Sequence, residues 1–209
     1  MMIIDPHTYS ETFIPEDENL ISARRRGVEV GAVDVTPGTG NFLQYLAHLI
    51  SAQAVVEVGT GSGIGTLCLL RGMIESGTLT SIDAEAEHTR IAKIALAEEG
   101  IAPGRFRLIT SPVMEVMSKL TDRAYDLVLL RNDPEDLEYA VEHADRMLRT
   151  GGVLVIDSFF GGAKVSDPAQ RDPRTIALRQ AGKTIRLATK TWSPSLIPVG
   201  DGLLLATKR

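Results

Sequence analysis

The first chemical signal in the chain is a short stretch in which Glu57 is followed by Gly59, Gly61, Gly63 and Gly65 at every second position, with Thr60 between the first two glycines. An apolar run, Ala54 to Val58, leads into it, and Thr66-Leu67-Cys68-Leu69-Leu70 follows. That pattern reads as a buried parallel strand, a tight turn and a helix start, the place where an α/β sheet holds a nucleotide-like ligand. Glycines there let a ligand lie against bare backbone. A partner acid is expected at the end of the next strand, to accept hydrogen bonds from ribose hydroxyls. Asp83 supplies it, about 20 residues past the last glycines, the separation one helical crossover requires. A dinucleotide fingerprint needs glycine at the first, third and sixth positions, but counting from Gly59 the sixth is Ile64, and from Gly61 it is Thr66. The spacing therefore disfavours a nicotinamide oxidoreductase. A glycine turn alone fits many α/β domains; Glu57 before it and Asp83 after it point to a ligand.

The elements that must position these residues can be read in order. Residues 1 to about 15 lack periodicity and are expected to form an irregular arm. Acidic residues from Glu16 open a helix that runs towards Arg26 and ends at Gly27, acid first and base last as the helix dipole favours. Thr36-Pro37 reads as an N-cap with proline in the first turn, ahead of a helix with Phe42, Leu43, Leu46, Leu49 and Ile50 on one face. After the glycine turn come a strand from Leu79 to Asp83, a helix from Glu85 to Glu98, a strand from Arg105 to Thr110 and a short helix from Val113 to Leu120. Tyr125 to Leu130 is a buried central strand, Pro134 opens another helix, and Val153 to Ile156 is a strand that ends at Asp157. A glycine-bearing loop and a long helix, Pro173 to Ala188, precede two strands, Lys190 to Ile197 and Leu203 to Thr207. Gly200-Asp201-Gly202 joins them as an antiparallel hairpin. Seven strands alternating with helices, without linker or repeat, give an α/β fold. It is read as one domain over residues 1–209, with residues 1–34 as an N-terminal arm and helix.

Composition narrows the classes. The chain has 209 residues, 44% hydrophobic and 23% charged, with a net charge of −5. It is long enough for one sizeable core. An acidic protein is a poor default binder of polyanions, and Arg24, Arg25 and Arg26 are read as the solvated face of a helix rather than a nucleic-acid site. Cys68 is the single cysteine, which argues against disulfides and a cysteine-based metal site. No uninterrupted apolar segment approaches the about 18 residues of a membrane span. The expectation is a cytoplasmic protein with no nucleic-acid and no membrane partner.

The acid-x-Gly-x-Gly-x-Gly run resembles motif I of the class I S-adenosylmethionine-dependent methyltransferases. Thr36-Pro37-Gly38-Thr39-Gly40, Tyr125-Asp126-Leu127-Val128, Leu148-Arg149-Thr150-Gly151-Gly152-Val153 and Pro198-Val199-Gly200-Asp201-Gly202 extend the resemblance. Over about Val35 to Arg209 the chain is similar to the bacterial cation-dependent O-methyltransferases, the group containing catechol and caffeoyl-CoA O-methyltransferases. This implies a Rossmann-like methyltransferase fold, a small aromatic or catechol-like acceptor, and a homodimer formed through the N-terminal helix. It also implies S-adenosyl-L-methionine as cofactor. Gly59 and Gly61 would line its methionine and ribose, with Glu57, Thr60 and Gly63 completing the motif. Asp83 would take the ribose hydroxyls, Ala84 one adenine face and Val113 the adenine edge, while Val35 would close over the methionine end. Gly65 stands where the family usually has a serine that contacts the cofactor carboxylate, and Pro112 where it often has aspartate.

The catalytic end departs further. Family members end the fourth strand in Asp-x-Asp-Lys or a variant and the fifth in Asp-Asn; the first Asp and that pair hold a divalent cation, and the lysine helps remove a proton. Here Arg131 aligns with the first ligand, Pro134 with the lysine, and Asp157-Ser158 with the pair. A guanidinium puts a fixed positive charge where the cation belongs, a repulsion on the order of several kcal/mol in a partly buried site. Mg²⁺ is therefore doubtful; a displaced site would use Asp133 and Asp157. The resemblance makes Asp133 and Asp157 the candidate proton acceptors, with Asp133 also near the cofactor, and Arg131 the group that stabilises the anion or pairs with Asp157. His7, His48, His88 and His143 are read as surface or core residues. Phe159, Phe160 and Trp192 are as consistent with plain packing as with an acceptor pocket. The alternative is a non-catalytic or regulatory protein that keeps the fold and binds the cofactor without turnover.

Overall fold

The centre of the sheet is built from short apolar runs buried on both faces, which is why helices cover it on either side. The structure, a computed structural model, describes residues 4–131 and 137–209. In chain order the elements are α1 (Pro6–Thr12), α2 (Glu18–Glu29), α3 (Pro37–Leu49), β1 (Ala54–Val58), α4 (Ile64–Gly72), β2 (Thr78–Asp83), α5 (Ala86–Glu98), β3 (Phe106–Thr110), α6 (Val113–Met117), β4 (Tyr125–Leu130), α7 (Leu137–Met147), β5 (Leu148–Ile156), α8 (Pro173–Leu187), β6 (Trp192–Ile197) and β7 (Leu203–Lys208). The strands form one sheet in the order β3-β2-β1-β4-β5-β7-β6. β1 to β5 are parallel, while β7 is antiparallel to both β5 and β6. This is the expected α/β fold with its C-terminal antiparallel hairpin.

Alternation along β1 sends Val55 and Glu57 to the α3–α4 side and Val56 and Val58 to the other. The first side holds Leu43, Leu46, Leu67, Leu70 and Leu96; the second holds Met117, Val141, Ala144 and Ile185. Asp126, buried at the start of β4, accepts the amides of Gln53 and Ala54 and so ties the entry of β1 to β4.

The chain leaves β1 towards β2 and β3, then returns to place β4 on the other side. That reversal opens a crevice at the carboxyl ends of β1 and β4. Register decides what lines it. Val58 is level with Ile82 and with Leu130, and Leu130 with Ile156. The next residues, Gly59, Asp83, Arg131 and Asp157, therefore form one row along the carboxyl edge. The ladder continues into the row, with the amides of Gly59, Arg131 and Asp157 donating to Ile82, Val58 and Leu130.

Several expectations are corrected near the N-terminus. Residues 6–12 are a helix rather than an irregular arm, because Asp5 caps it by accepting the Thr8 amide and Pro6 opens it. Glu11 fastens this helix to the domain by accepting the amides of Gly38 and Gly200 at 2.9 and 2.8 Å. Gly27 does not end α2 but lies inside it; a Cβ there would come within 2.5 Å of an Asp34 oxygen and 3.0 Å of Ser62. Arg24 and Arg26 are not simply solvated: Arg24 pairs with Glu16 and donates to the Val35 carbonyl, and Arg26 pairs with Glu98. β5 also starts five residues earlier than expected, with a register shift between Tyr125 and Leu127 that accommodates Gly151 and Gly152. The helix start expected at Pro134 lies outside the described residues.

Candidate active site

The crevice at the switch point is a cleft of about 420 Å³. Its walls are Gly59, Gly61, Asp83, Ala84, Val113 and Arg131, joined by Gly31, Val33, Val58, Ile82, His88 and Pro112. Gly59 and Gly61 hold φ of +92° and +55°, a region that L side chains rarely adopt. A Cβ on Gly59 would lie 3.0 Å from the Arg131 carbonyl, and one on Gly61 would lie 2.6 Å from Asp34. The turn is thus bare backbone on the cleft side because its other side is filled.

Asp83 closes β2 with its carboxylate in the cleft wall. One oxygen accepts the Gly61 amide at 3.1 Å, the other the Glu85 amide at 2.9 Å, and the His88 ring nitrogen lies 3.2 Å from both. Two oxygens offer about four acceptor sites, so capacity remains for a ligand's hydroxyls. A cradle of bare glycine backbone beside a fixed carboxylate fits the nucleoside and amino-acid halves of adenosylmethionine.

Four residues of the glycine motif and its surroundings do not face the cleft. Glu57 is fully buried behind the turn, where Thr66 and Ser81 donate to one of its oxygens at 2.5 and 2.7 Å. Its other oxygen has no hydrogen-bond partner among the described residues and occupies the space that a Cβ on Gly65 would need. Burial pushes this carboxyl up to about 7, against the pull of the Thr66 hydroxyl and the Arg131 charge. Thr60 is buried and hydrogen-bonded to Ser81 at 2.7 Å. Gly63, at φ +92°, packs against Ala92 of α5. The motif's acid and its outer glycines therefore build the turn rather than line it. Val35 is also buried away from the cleft; the segment before it, Gly31 and Val33, forms the rim. Asp34 locks this rim down by accepting the Ser62 amide at 2.8 Å and the Ser62 hydroxyl at 2.7 Å.

Beside the glycine turn, Arg131 lies between Gly59 and Asp157 in the edge row. Its side chain is 5% exposed. Nε points to Asp157 at 3.3 Å, while the two Nη groups donate to the carbonyls of Gly59 at 3.0 Å and Val33 at 2.5 Å. A charge-assisted contact is usually about 2.7–2.9 Å, so the guanidinium is held as firmly by the two carbonyls as by the carboxylate. It stitches the rim, the glycine turn and the end of β5 together. These residues do not fit a divalent cation: a positive group already occupies the carboxylate's side of the row, and no cluster of three His, Cys, Asp or Glu suited to a metal exists among the described residues. Asp133 lies outside those residues. The structure brings Arg131 and Asp157 together, but only Arg131 reaches the cleft wall.

Sequence reading missed Gly31, Val33, Asp34 and His88. For His88 a signal existed, since a residue five after Asp83 falls on the first turn of α5 and is carried back to the strand end. Nothing local marked the others. Among the described residues, no helix is long and apolar enough to cross a membrane.

A sequence model described as O-methyltransferase matches residues 13–209. A protein of Mycobacterium sp. strain JLS, provisionally named an O-methyltransferase, is 45% identical over 200 residues, covering 96% of this chain and 90% of that one. A Corynebacterium glutamicum protein of known crystal structure superposes with a TM-score of 0.88 at 32% identity, covering 96% of this chain and 94% of its own. The O-methyltransferase of tomaymycin synthesis from Streptomyces achromogenes, solved with S-adenosylmethionine, has the same fold, with a TM-score of 0.85 at 24% identity over 96% and 94% of the two chains.

Proposed function

Since the chain belongs to the O-methyltransferase family, we propose that it transfers a methyl group from S-adenosylmethionine to a hydroxyl of a small aromatic, catechol-like acceptor, with Arg131 in the role that a divalent cation plays in the relatives it resembles. The observation that carries this reading is the Arg131 guanidinium, held on the cleft wall in register between Gly59 and Asp157.

When bound, the cofactor supplies a methyl group on a cationic sulfur, open to in-line displacement by oxygen. In this reading Gly59 and Gly61 present backbone to the amino-acid and ribose portions, Asp83 accepts from the ribose hydroxyls, and Ala84 and Val113 flank the base. Glu57, Thr60, Gly63 and Gly65 act from behind, by shaping the turn. Guanidinium has five N–H donors; three are used by the described residues, and in this reading the others meet the acceptor's oxygen as its negative charge develops. Asp157 is engaged by Arg131 and does not line the cleft, so the hydroxyl proton is assigned to Asp133, the other carboxylate that the family resemblance offers. A fixed charge preorganised at that oxygen needs no metal to be loaded first.

The test is a methyl-transfer assay on catechol-type acceptors with Mg²⁺ or with EDTA, beside calorimetry with adenosylhomocysteine. Turnover indifferent to EDTA is the expected result. Turnover that requires Mg²⁺ would overturn the role given to Arg131, and cofactor binding without turnover on any acceptor would favour the regulatory alternative.

A second copy is the proposed partner. Phe13, Ile14 and Tyr45 are exposed and line one groove between α1 and α3, a surface that suits burial in a homodimer. Sedimentation equilibrium showing only monomer at micromolar concentration would exclude it.

A further inference from the structure

We propose that His88 is a positioning residue for the nucleoside half of the methyl donor, holding the Asp83 carboxylate in the orientation that receives the ribose. The inference rests on the donor reading above.

His88 is the third residue of α5 and lines the cleft beside Ala84, Pro112 and Val113. Its Nδ1 lies 3.2 Å from each oxygen of Asp83. A carboxylate only accepts, so the contact assigns the proton to Nδ1. Without the imidazole, Asp83 has one amide on each oxygen, from Gly61 on one side and Glu85 on the other. Those two are the only restraints from the described residues on a last torsion that is a broad one. A donor shared between both oxygens restrains that motion, and three N–H donors on about four acceptor sites still leave one open to a ribose hydroxyl.

An anchoring role for α5 is already filled elsewhere. Asp83 receives the Glu85 amide just ahead of the helix, and Thr89 bonds Thr110 of β3 at 2.7 Å. His88 instead faces the space a ligand would occupy, with its side chain 19% exposed against 10% for Asp83.

The experiment compares wild type, His88→Ala and His88→Asn by calorimetric titration of adenosylhomocysteine, by KM for adenosylmethionine against kcat, and by ¹⁵N-edited NMR of the histidine rings. Loss of a hydrogen bond to a charged group corresponds to about tenfold in affinity. His88→Ala is expected to weaken adenosylhomocysteine by that factor, with the loss in catalysis falling on KM rather than kcat. His88→Asn, which keeps a donor near the Nδ1 position, is expected to recover most of it. The wild-type His88 ring should keep its proton on Nδ1 and shift on adding ligand. Affinities of both variants within twofold of wild type would overturn the proposal while leaving the donor reading intact. So would a loss in His88→Ala that His88→Asn does not recover. Failure of wild type itself to bind adenosylhomocysteine would overturn both.

Discussion

Asp83 and Asp157 end two strands of the same sheet and are equally buried, each 8% exposed, yet they are employed in opposite ways. Asp83 is surrounded by donors that contain no guanidinium: two amides and an imidazole. Its carboxylate lines the cleft and keeps an acceptor site for something outside the protein. Asp157 faces a guanidinium, and the charge it would offer to a cation is answered within the chain. A carboxylate at a strand end is therefore a binding group or half of an internal pair according to what the neighbouring strand places level with it. Gly59 leaves Asp83 open; Arg131 closes Asp157.

Exchanging these situations is the strongest test. Asp83→Ala removes the only carboxylate among the described residues lining the cleft and is expected to weaken adenosylhomocysteine by about two orders of magnitude, from lost charge-assisted hydrogen bonding to the ribose. Calorimetry reads this directly. At the other end, Arg131→Ala is expected to lower kcat by about 10²-fold with less than a threefold change in adenosylhomocysteine affinity. It should also destabilise the fold by about 3 kcal/mol, because Asp157 is left buried without its partner; denaturant titration checks that part. Arg131→Asp rebuilds a carboxylate pair with Asp157, and its expected signature is activity that EDTA abolishes.

Glu57 gives a subtler version of the contrast, a carboxyl with neither a ligand nor a cation in contact. Its folded value of about 7 exceeds the ordinary 4.5. The folded state thus holds the proton more tightly, and the cost of ionising Glu57 is absent below pH 4.5, grows through the interval and is complete above about pH 7. The difference corresponds to about 3 kcal/mol. Glu57→Gln should remove that part of the fall in stability between pH 4.5 and 7, as followed by chemical denaturation at stepped pH.

The smallest effect is expected at Glu11, which docks α1 on Gly38 and Gly200. Burial alone would raise its carboxyl, but the Thr36 hydroxyl and the two amides outweigh it and hold the value down. Its contribution is present above the ordinary carboxylate range and lost as pH falls through the lowered value. Glu11→Gln is expected to cost about 1 kcal/mol and to speed hydrogen exchange in residues 6–12 while leaving transfer unaffected.

Much of this architecture was written in local patterns. The Gly59–Gly61 turn, the acid at residue 83, the Thr36-Pro37 cap and the apolar run of β4 are short-range signals, since backbone conformation, capping and alternation depend on neighbours in the chain. They determined the α/β class, the order of elements and the crevice's floor. The α1 helix was legible too, in Asp5-Pro6, but was obscured by its lack of an apolar face; none of its residues is buried. What only the tertiary structure decided is the direction in which side chains point and what they meet. Glu57 lies within the motif yet behind the wall, because strand alternation sends it to the α3–α4 side and Gly65 leaves it room. Arg131 reads as a replaced ligand in sequence; register made it a bridge among Asp157, Gly59 and Val33. Asp34 gained its role only when a residue 28 positions away was folded against it, a relation that composition and spacing do not encode, whereas the five-residue step from Asp83 to His88 was legible once α5 was placed.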